Sequence, residues 1–584
     1  MNCPSRADPL MQEGYNQNPN ALNADATTRA DLDHMANARL QRDHRIDSSD
    51  GAITEVPPSE QQATEGQDTI RAKALDSQGN IIVSDGKLSG NITTFTSGSG
   101  GNGGRAPNNW STQLRALYLN ATRVLRKYST FIGPGFMVAV AYIDPGNYAT
   151  DVAAGAAFRF KLLFIVLMSN IFAIFLQSLC IKLGSVTGMN LAENCKAHLP
   201  MWLNYVLYVF AESAIIATDI AEVIGTAIAL NILIKVPLVA GCALSIVDVL
   251  IILIFYRPTG TMRALRAFEF FVMALVLGVV ICFCFELSKI EAPVGDVFKG
   301  YLPSSTLVES EALYKACGIL GATVMPHSLY LGSGIVQPRL REFDEANNTA
   351  ELLETDSITD ELKYKPSLAA IQACMSYSIV ELAVSLFTFA LFVNSAILIV
   401  AGASLYGRPE ADDADLFSIH DLLSRSIAPV AGTLFALALL LSGTSAGIVC
   451  TISGQMVSEG QLNWTLKPWL RRLITRSISI TPSIIIAGAV GRAGLGKALE
   501  GSQVALSVIL PFVSAPLIWF TCRSRYMKVP VRREGGANDG TEEGGEEYVQ
   551  MRNHWVTATF ALLIWGVIVV MNVALLVLVG MGVA

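Results

Sequence analysis

Between residues 137 and 152 the chain reads MVAVAYIDPGNYATDV, with a carboxylate, a proline, a glycine and a carboxamide inside an otherwise apolar run. Asp144 and Asn147 are three apart, which places them on one face of a helix. Pro145 and Gly146 break that helix between them, so both side-chain oxygens can turn inward beside freed backbone carbonyls. A second run, CGILGATVMPHSLYLGSG (317–334), breaks at Pro326. Unwinding there frees the carbonyl of Ala322 and brings the thioether of Met325 to the same centre. Oxygen donors alone suit Mg²⁺ and Ca²⁺, whereas a thioether is a soft ligand of no use to either. Asp144, Asn147, the Ala322 carbonyl and Met325 therefore favour Mn²⁺, Fe²⁺, Co²⁺ or Cd²⁺. One charge and no thiolate make the set weakly binding, as a carrier that must release its cargo requires. Asp151, farther along the first run, is expected at the outer mouth.

A second constellation lies in YVFAESAIIATDIAEVIGTAIAL (208–230). Asp219 and Glu222 are three apart, and Glu212 is seven before Asp219, so all three share a face. His327 follows the break at Pro326. Carboxylates and histidine lining one membrane path suggest a proton relay, a duty that suits a side chain with an unperturbed pKa near 6.5. The bland reading of His327 is a satisfied interior histidine. Arg471 and Arg472 either serve as counter-ions at the exit or flank a span in the ordinary positive-inside manner. Asp248, Glu269 and Glu381 are expected to be structural.

The elements that must position these residues follow from composition. The chain has 584 residues, 52% hydrophobic and 16% charged, too few charges for a soluble domain, which carries about 25%. Residues 1–125 are rich in Asn, Asp, Ser, Thr and Gly and are expected to be a disordered tail; with no basic region followed by an apolar stretch at their start, no signal peptide is expected. Residues 126–584 form the membrane domain. Eleven candidate spans fall near 131–154, 160–187, 201–231, 237–256, 267–287, 311–336, 367–402, 427–456, 470–490, 500–522 and 554–582. Basic residues gather in every loop on the tail's side (Arg257, Arg263, Arg266, Lys363, Lys467, Arg523, Arg525), which makes that side cytoplasmic. The 10 Cys lack paired short spacing and read as small buried hydrophobes. The two breaks open the first and sixth spans, so spans 1–5 (131–287) and 6–10 (311–522) form two halves of inverted topology. Matching broken helices in inverted halves point to a transporter's central site; an eleventh helix at 554–582 follows.

DPGN in the first span, ATDIAEVIGTAIAL in the third, GATVMPHSLYLGS in the sixth and SQVALSVILPF in the tenth together resemble the NRAMP (natural resistance-associated macrophage protein) family of proton-coupled divalent metal transporters. The resemblance spans about 129–582. It implies an all-α polytopic membrane protein of LeuT type, with five plus five helices, the first and sixth broken, and alternating access by a rocking bundle. Carried over motif by motif, it implies Asp144, Asn147, the Ala322 carbonyl and Met325 as metal ligands, with Gln503 joining in the outward-closed state. It also implies Asp219, Glu222, Glu212, His327 and the Arg471–Arg472 pair as the proton route. Two positions depart from the family's common pattern: Ile509 stands where many members have a glutamine before the LP of span 10, and Gly332 where many have a second histidine. The expected activity is symport of Mn²⁺ or Fe²⁺ with H⁺ into the cytoplasm, with no cofactor and no enzymatic role; no H-E-x-x-H occurs. The alternative is a Na⁺-coupled small-solute carrier on the same fold, disfavoured by Met325 facing a fixed anion. Partners are metal ions, protons and the lipid bilayer, not nucleic acid, with trafficking or ubiquitin-ligase adaptors on the tail. The host membrane is the plasma membrane or an acidic endomembrane such as the vacuole.

Overall fold

The computed structural model describes residues 133–245, 262–347, 364–408, 415–426, 428–462, 468–531 and 547–582. The tail expected at 1–125, Asp248 and part of the fourth span lie outside them, as do the side chains of Arg471 and Arg472. The first span is two helices, α1 (Pro134–Val140) and α2 (Pro145–Phe158). After it come α3 (Leu163–Thr187), α4 (Leu191–His198), α5 (Met201–Ile234), α6 (Leu238–Leu244), α7 (Met262–Lys289) and α8 (Val294–Gly300). The sixth span repeats the break, as α9 (Ser310–Thr323) and α10 (Pro326–Gly334). Then follow α11 (Gln337–Ala346), α12 (Leu368–Ser385), a π-helical turn (Leu386–Ala390) into α13 (Leu391–Ser404), α14 (Leu416–Ser426), α15 (Pro429–Leu462), α16 (Pro468–Ala489) and α17 (Arg492–Cys522). A ribbon of β1 (Lys528–Val531) antiparallel to β2 (Glu547–Gln550) leads to α18 (Trp555–Gly580).

Eight helices among the described residues are long and apolar enough to cross a membrane. The first span, in pieces of 7 and 14 residues, is not among them. Helix starts follow local chemistry. Proline occupies the first turn of α1, α2, α10 and α11, where its missing N–H is not needed and its φ is already helical. Asn190 and Glu193 form a capping box on α4. The core runs through α2, α3, α5, α13 and α15, with α5 packed on α15, α16 and α17, and α2 on α9 and α13.

The start of α1 is held from two sides. Gly133 has φ 145°, a conformation glycine adopts without strain, and an added Cβ there would overlap the Glu269 carboxylate. Glu381 of α12 accepts the N–H groups of Gly133 (3.1 Å) and Gly135 (2.7 Å), all buried. Glu269 of α7 pairs with Arg339 of α11 at 2.7 Å, with both side chains 4% exposed. Glu269 and Glu381, two of the three acids expected to be structural, thus both pack at the start of α1. Asp344 adds to this by accepting from the Ser367 amide at 3.0 Å and from the Tyr364 hydroxyl. Replacing Glu381 with Ala strands two buried donors, each costing about 1–3 kcal/mol. Glu381→Ala is expected to lower the melting temperature of the detergent-solubilised protein, with Glu381→Gln recovering part of the loss; an unchanged midpoint would contradict the capping role.

Candidate functional site

Asp144 occupies the gap between α1 and α2 in an extended conformation (φ −113°, ψ 169°) and caps α2. Its Oδ2 accepts from the Gly146 amide and its Oδ1 from the Asn147 amide, both at 3.0 Å. A carboxylate at a helix N-terminus satisfies orphan donors, so the proline, the cap and the candidate ligand are one local device. The carbonyls released by the gap are taken up by neighbours. Asn394 Nδ2 of α13 donates to Tyr142 O at 3.1 Å, and Ser442 Oγ of α15 to Ile143 O at 2.6 Å. Gly225 and Gly443 lie beside Pro145, which a larger residue at 225 would overlap.

The second gap faces the first. Val324 leaves helical geometry (φ −100°, ψ 72°), and Met325, fully buried, is the extended residue before α10. Asn147 Nδ2 donates both to Asp144 Oδ1 (2.7 Å) and to Ala322 O (3.1 Å). Two oxygens from different helices therefore converge on one point across the two breaks. Gln503 of α17 is buried against Gly146, so closely that an added Cβ at 146 would overlap its amide. Its Oε1 has no hydrogen-bond partner among the described residues. Asp144, Asn147, Ala322, Met325 and Gln503 are thus all buried at or beside the paired gaps. Asp151 is fully buried within α2, two turns beyond Asp144, rather than at an outer mouth, and neither of its oxygens is hydrogen-bonded among the described residues. One turn farther along α2, a Cβ added at Gly155 would overlap the Leu398 carbonyl of α13.

The acids of α5 form a separate centre. Arg476 of α16 forms ion pairs with Asp219 and, at 3.3 Å, with Glu222, and all three side chains are buried. Cys450 of α15 joins them: ligand atoms of Asp219, Glu222 and Cys450 lie within 4.8 Å of one another. The Cys450 thiol donates to Ile215 O at 3.8 Å and lies within electrostatic range of Glu222, Glu212 and Asp144. His327, first-turn residue of α10, meets Thr218 Oγ1 through Nδ1 at 3.3 Å, one residue from Asp219. The structure therefore brings Glu212, Asp219, Glu222 and His327 to one flank of the paired gaps.

Sequence reasoning missed several of these partners. Arg476 sits inside a span, four residues past Arg472; a charge at membrane depth opposite two intramembrane acids is the signal that could have singled it out. Asn394, Ser442 and Gln177 are neutral and do not stand out in apolar runs. Gln177 Nε2 of α3 binds Tyr142 Oη (2.9 Å), Ser328 O (3.0 Å) and Ser328 Oγ (3.0 Å), tying α3 to both broken helices. This cluster also accounts for Gly332, where any Cβ would overlap Gln177 Oε1.

A family model described as Natural resistance-associated macrophage protein-like matches residues 135–534. The manganese transporter SMF1 of Saccharomyces cerevisiae is 50% identical over 551 residues, which cover 87% of this chain and 94% of that one. The iron transporter SMF3 of the same yeast is 55% identical over 410 residues, covering 70% and 84%. Among solved structures, the Eremococcus coleocola manganese transporter in complex with an aromatic bis-isothiourea substituted compound is 30% identical, with a TM-score of 0.62 over 76% of this chain and 85% of that one. The expected LeuT-type architecture, with its first and sixth helices broken, is the one found. With both gaps lined by buried oxygens and this much sequence shared with metal carriers, the chain belongs to the Natural resistance-associated macrophage protein-like family of membrane metal transporters.

Proposed function

We propose that the protein carries Mn²⁺ or Fe²⁺ together with H⁺ across its membrane, toward the cytoplasm, by alternating access at the paired helix gaps. The observation that carries this reading is the convergence of Asp144 Oδ1 and Ala322 O on the Asn147 amide. A cation at that point would accept both oxygens, with the Asn147 amide turned to present its own Oδ1 and Met325 supplying sulfur. Such a mixed set suits middle and late transition metals over Ca²⁺ and Mg²⁺. Relatives named as manganese and iron transporters support the choice of cargo. Gln503, with a free Oε1 beside Gly146, would complete the shell when α17 closes over the site.

Proton movement is assigned to the flank. His327 links the second gap to α5, and Asp219 and Glu222, held by Arg476, continue the path, with Glu212 nearer the basic loops. Acids and a histidine along one membrane route are what a relay needs. The basic loops support a cytoplasmic tail-bearing side; metal would then enter with protons from an external or luminal acidic face, at the plasma membrane or an acidic compartment such as the vacuole. Residues 1–125 would then be a cytoplasmic tail open to trafficking or ubiquitin-ligase adaptors, joined to a membrane domain over 126–584.

In proteoliposomes with an inwardly directed proton gradient, Asp144→Ala removes the sole anionic ligand and should lower Mn²⁺ uptake by roughly tenfold to a hundredfold, the range for a charge-assisted contact; undiminished uptake would remove Asp144 from the site. Met325→Ala should retain most Mn²⁺ uptake while letting Ca²⁺ compete, and unaltered Ca²⁺ exclusion would rule out a selective thioether. Asp219→Asn should leave metal movement measurable while internal acidification per metal falls; full proton flux in this variant would place the relay elsewhere.

A further inference from the structure

Away from the gaps, the bundle surface carries a cavity of about 770 Å³ between the first half of α5, the second half of α17 and the middle of α18. That is the size of a small-molecule site. Val206, Phe210, Phe512, Trp519, Trp565 and Leu576 supply its walls, and Phe512, Trp519, Val206 and Leu576 are exposed. It is therefore a groove open to the bilayer, not an internal void. Along α17 it runs from Val508 to Trp519, about 16 Å at helical rise, close to one leaflet of a hydrocarbon core about 30 Å thick. Its shape is fixed: Phe210 stacks on Phe512 with centroids 4.7 Å apart, and Trp565 Nε1 donates to Pro511 O at 2.9 Å, locking α18 to α17.

One end of the groove differs from the rest. His198 and Tyr526 line it there, with rings 4.8 Å apart. Arg523 covers the Trp519 ring at 3.6 Å, and Arg525 lies near enough to His198 to add to the lowering of its pKa by partial burial. The segment 522–530 carries Arg523, Arg525 and Lys528 and no acid, and all three are exposed. Aromatic rings with basic side chains mark the level where lipid headgroups sit.

We infer that this groove is a binding site for an anionic glycerophospholipid, one acyl chain lying along α17 between α5 and α18 and the phosphate seated on Arg523, Arg525 and the His198–Tyr526 pair. Charge complementarity selects this occupant. A sterol would leave the basic rim without a partner, and a zwitterionic lipid would bring its own cation against it. The bound chain would brace α17, the helix that carries Gln503 to the metal gaps.

The test is native mass spectrometry of the full-length protein, delipidated in detergent and then given phosphatidylserine, phosphatidylcholine or inorganic phosphate. Phosphatidylserine should be retained preferentially. Arg523→Gln with Arg525→Gln should weaken that retention by roughly 30-fold, at the usual strength of a basic side chain near an anionic surface. Ala515→Trp, which fills the groove, should abolish binding of both lipids while the double arginine variant still folds. Equal retention of the two lipids, or retention unchanged in the arginine variant, would overturn the headgroup assignment. Displacement of phosphatidylserine by inorganic phosphate would overturn the acyl-chain seat. A dimer whose interface shields Phe512 would assign the groove to a second copy instead.

Discussion

Hydrocarbon offers no hydrogen-bond partner, so a backbone group released inside it must be satisfied by the protein, at a cost of several kcal/mol if it is not. The rest of this molecule is arranged around that constraint at its two helix gaps. Tyr142 O and Ile143 O are answered by Asn394 and Ser442, and Ala322 O by Asn147. Asp144 closes the end of α2 with its own carboxylate. The glycines follow from the same demand: Gly146, Gly225 and Gly332 lack a side chain because Gln503, Pro145 and Gln177 occupy the space one would need.

Glu269 pairs with Arg339, and Asp219 and Glu222 share the single guanidinium of Arg476. Glu381 faces the N-terminus of α1, where the helix dipole favours an anion. Asp144 has only amide donors around it, with no basic side chain in ion-pair range among the described residues. Among the described residues Asp144 is thus a buried carboxylate without a protein cation, at the shared point of both gaps; Asp151 and Glu286 are likewise buried and without an ion-pair partner. His327 of the second broken helix meets Thr218, beside Asp219, and Cys450 joins Asp219 and Glu222, so the second gap and the acids of α5 are neighbours.

Much of this is legible in the residues. Span limits set by hydrophobic run length agree closely with the helices, as 201–231 does with Met201–Ile234 and 470–490 with Pro468–Ala489. The breaks are legible because Pro145 and Pro326 each remove a backbone donor at membrane depth, which interrupts a helix whatever packs around it. Pairing in three dimensions is not legible. Arg476 is one basic residue among several near the start of α16, and only the fold shows that it reaches Asp219. Asn394 and Ser442 carry no charge, so nothing in their type separates a carbonyl cap from a packing residue. The polarity of Asp151 suggests the wet rim of a site, whereas the fold buries it fully.

The central claim is that one ion sits between the two gaps with an Asp144 oxygen and the Met325 sulfur both in contact with it. X-ray absorption at the metal edge of Cd²⁺-loaded protein reads that shell directly. The wild type should show oxygen neighbours plus one sulfur, with the sulfur lost in Met325→Ala. An all-oxygen shell in the wild type, or a sulfur contribution that survives Met325→Ala, would contradict it.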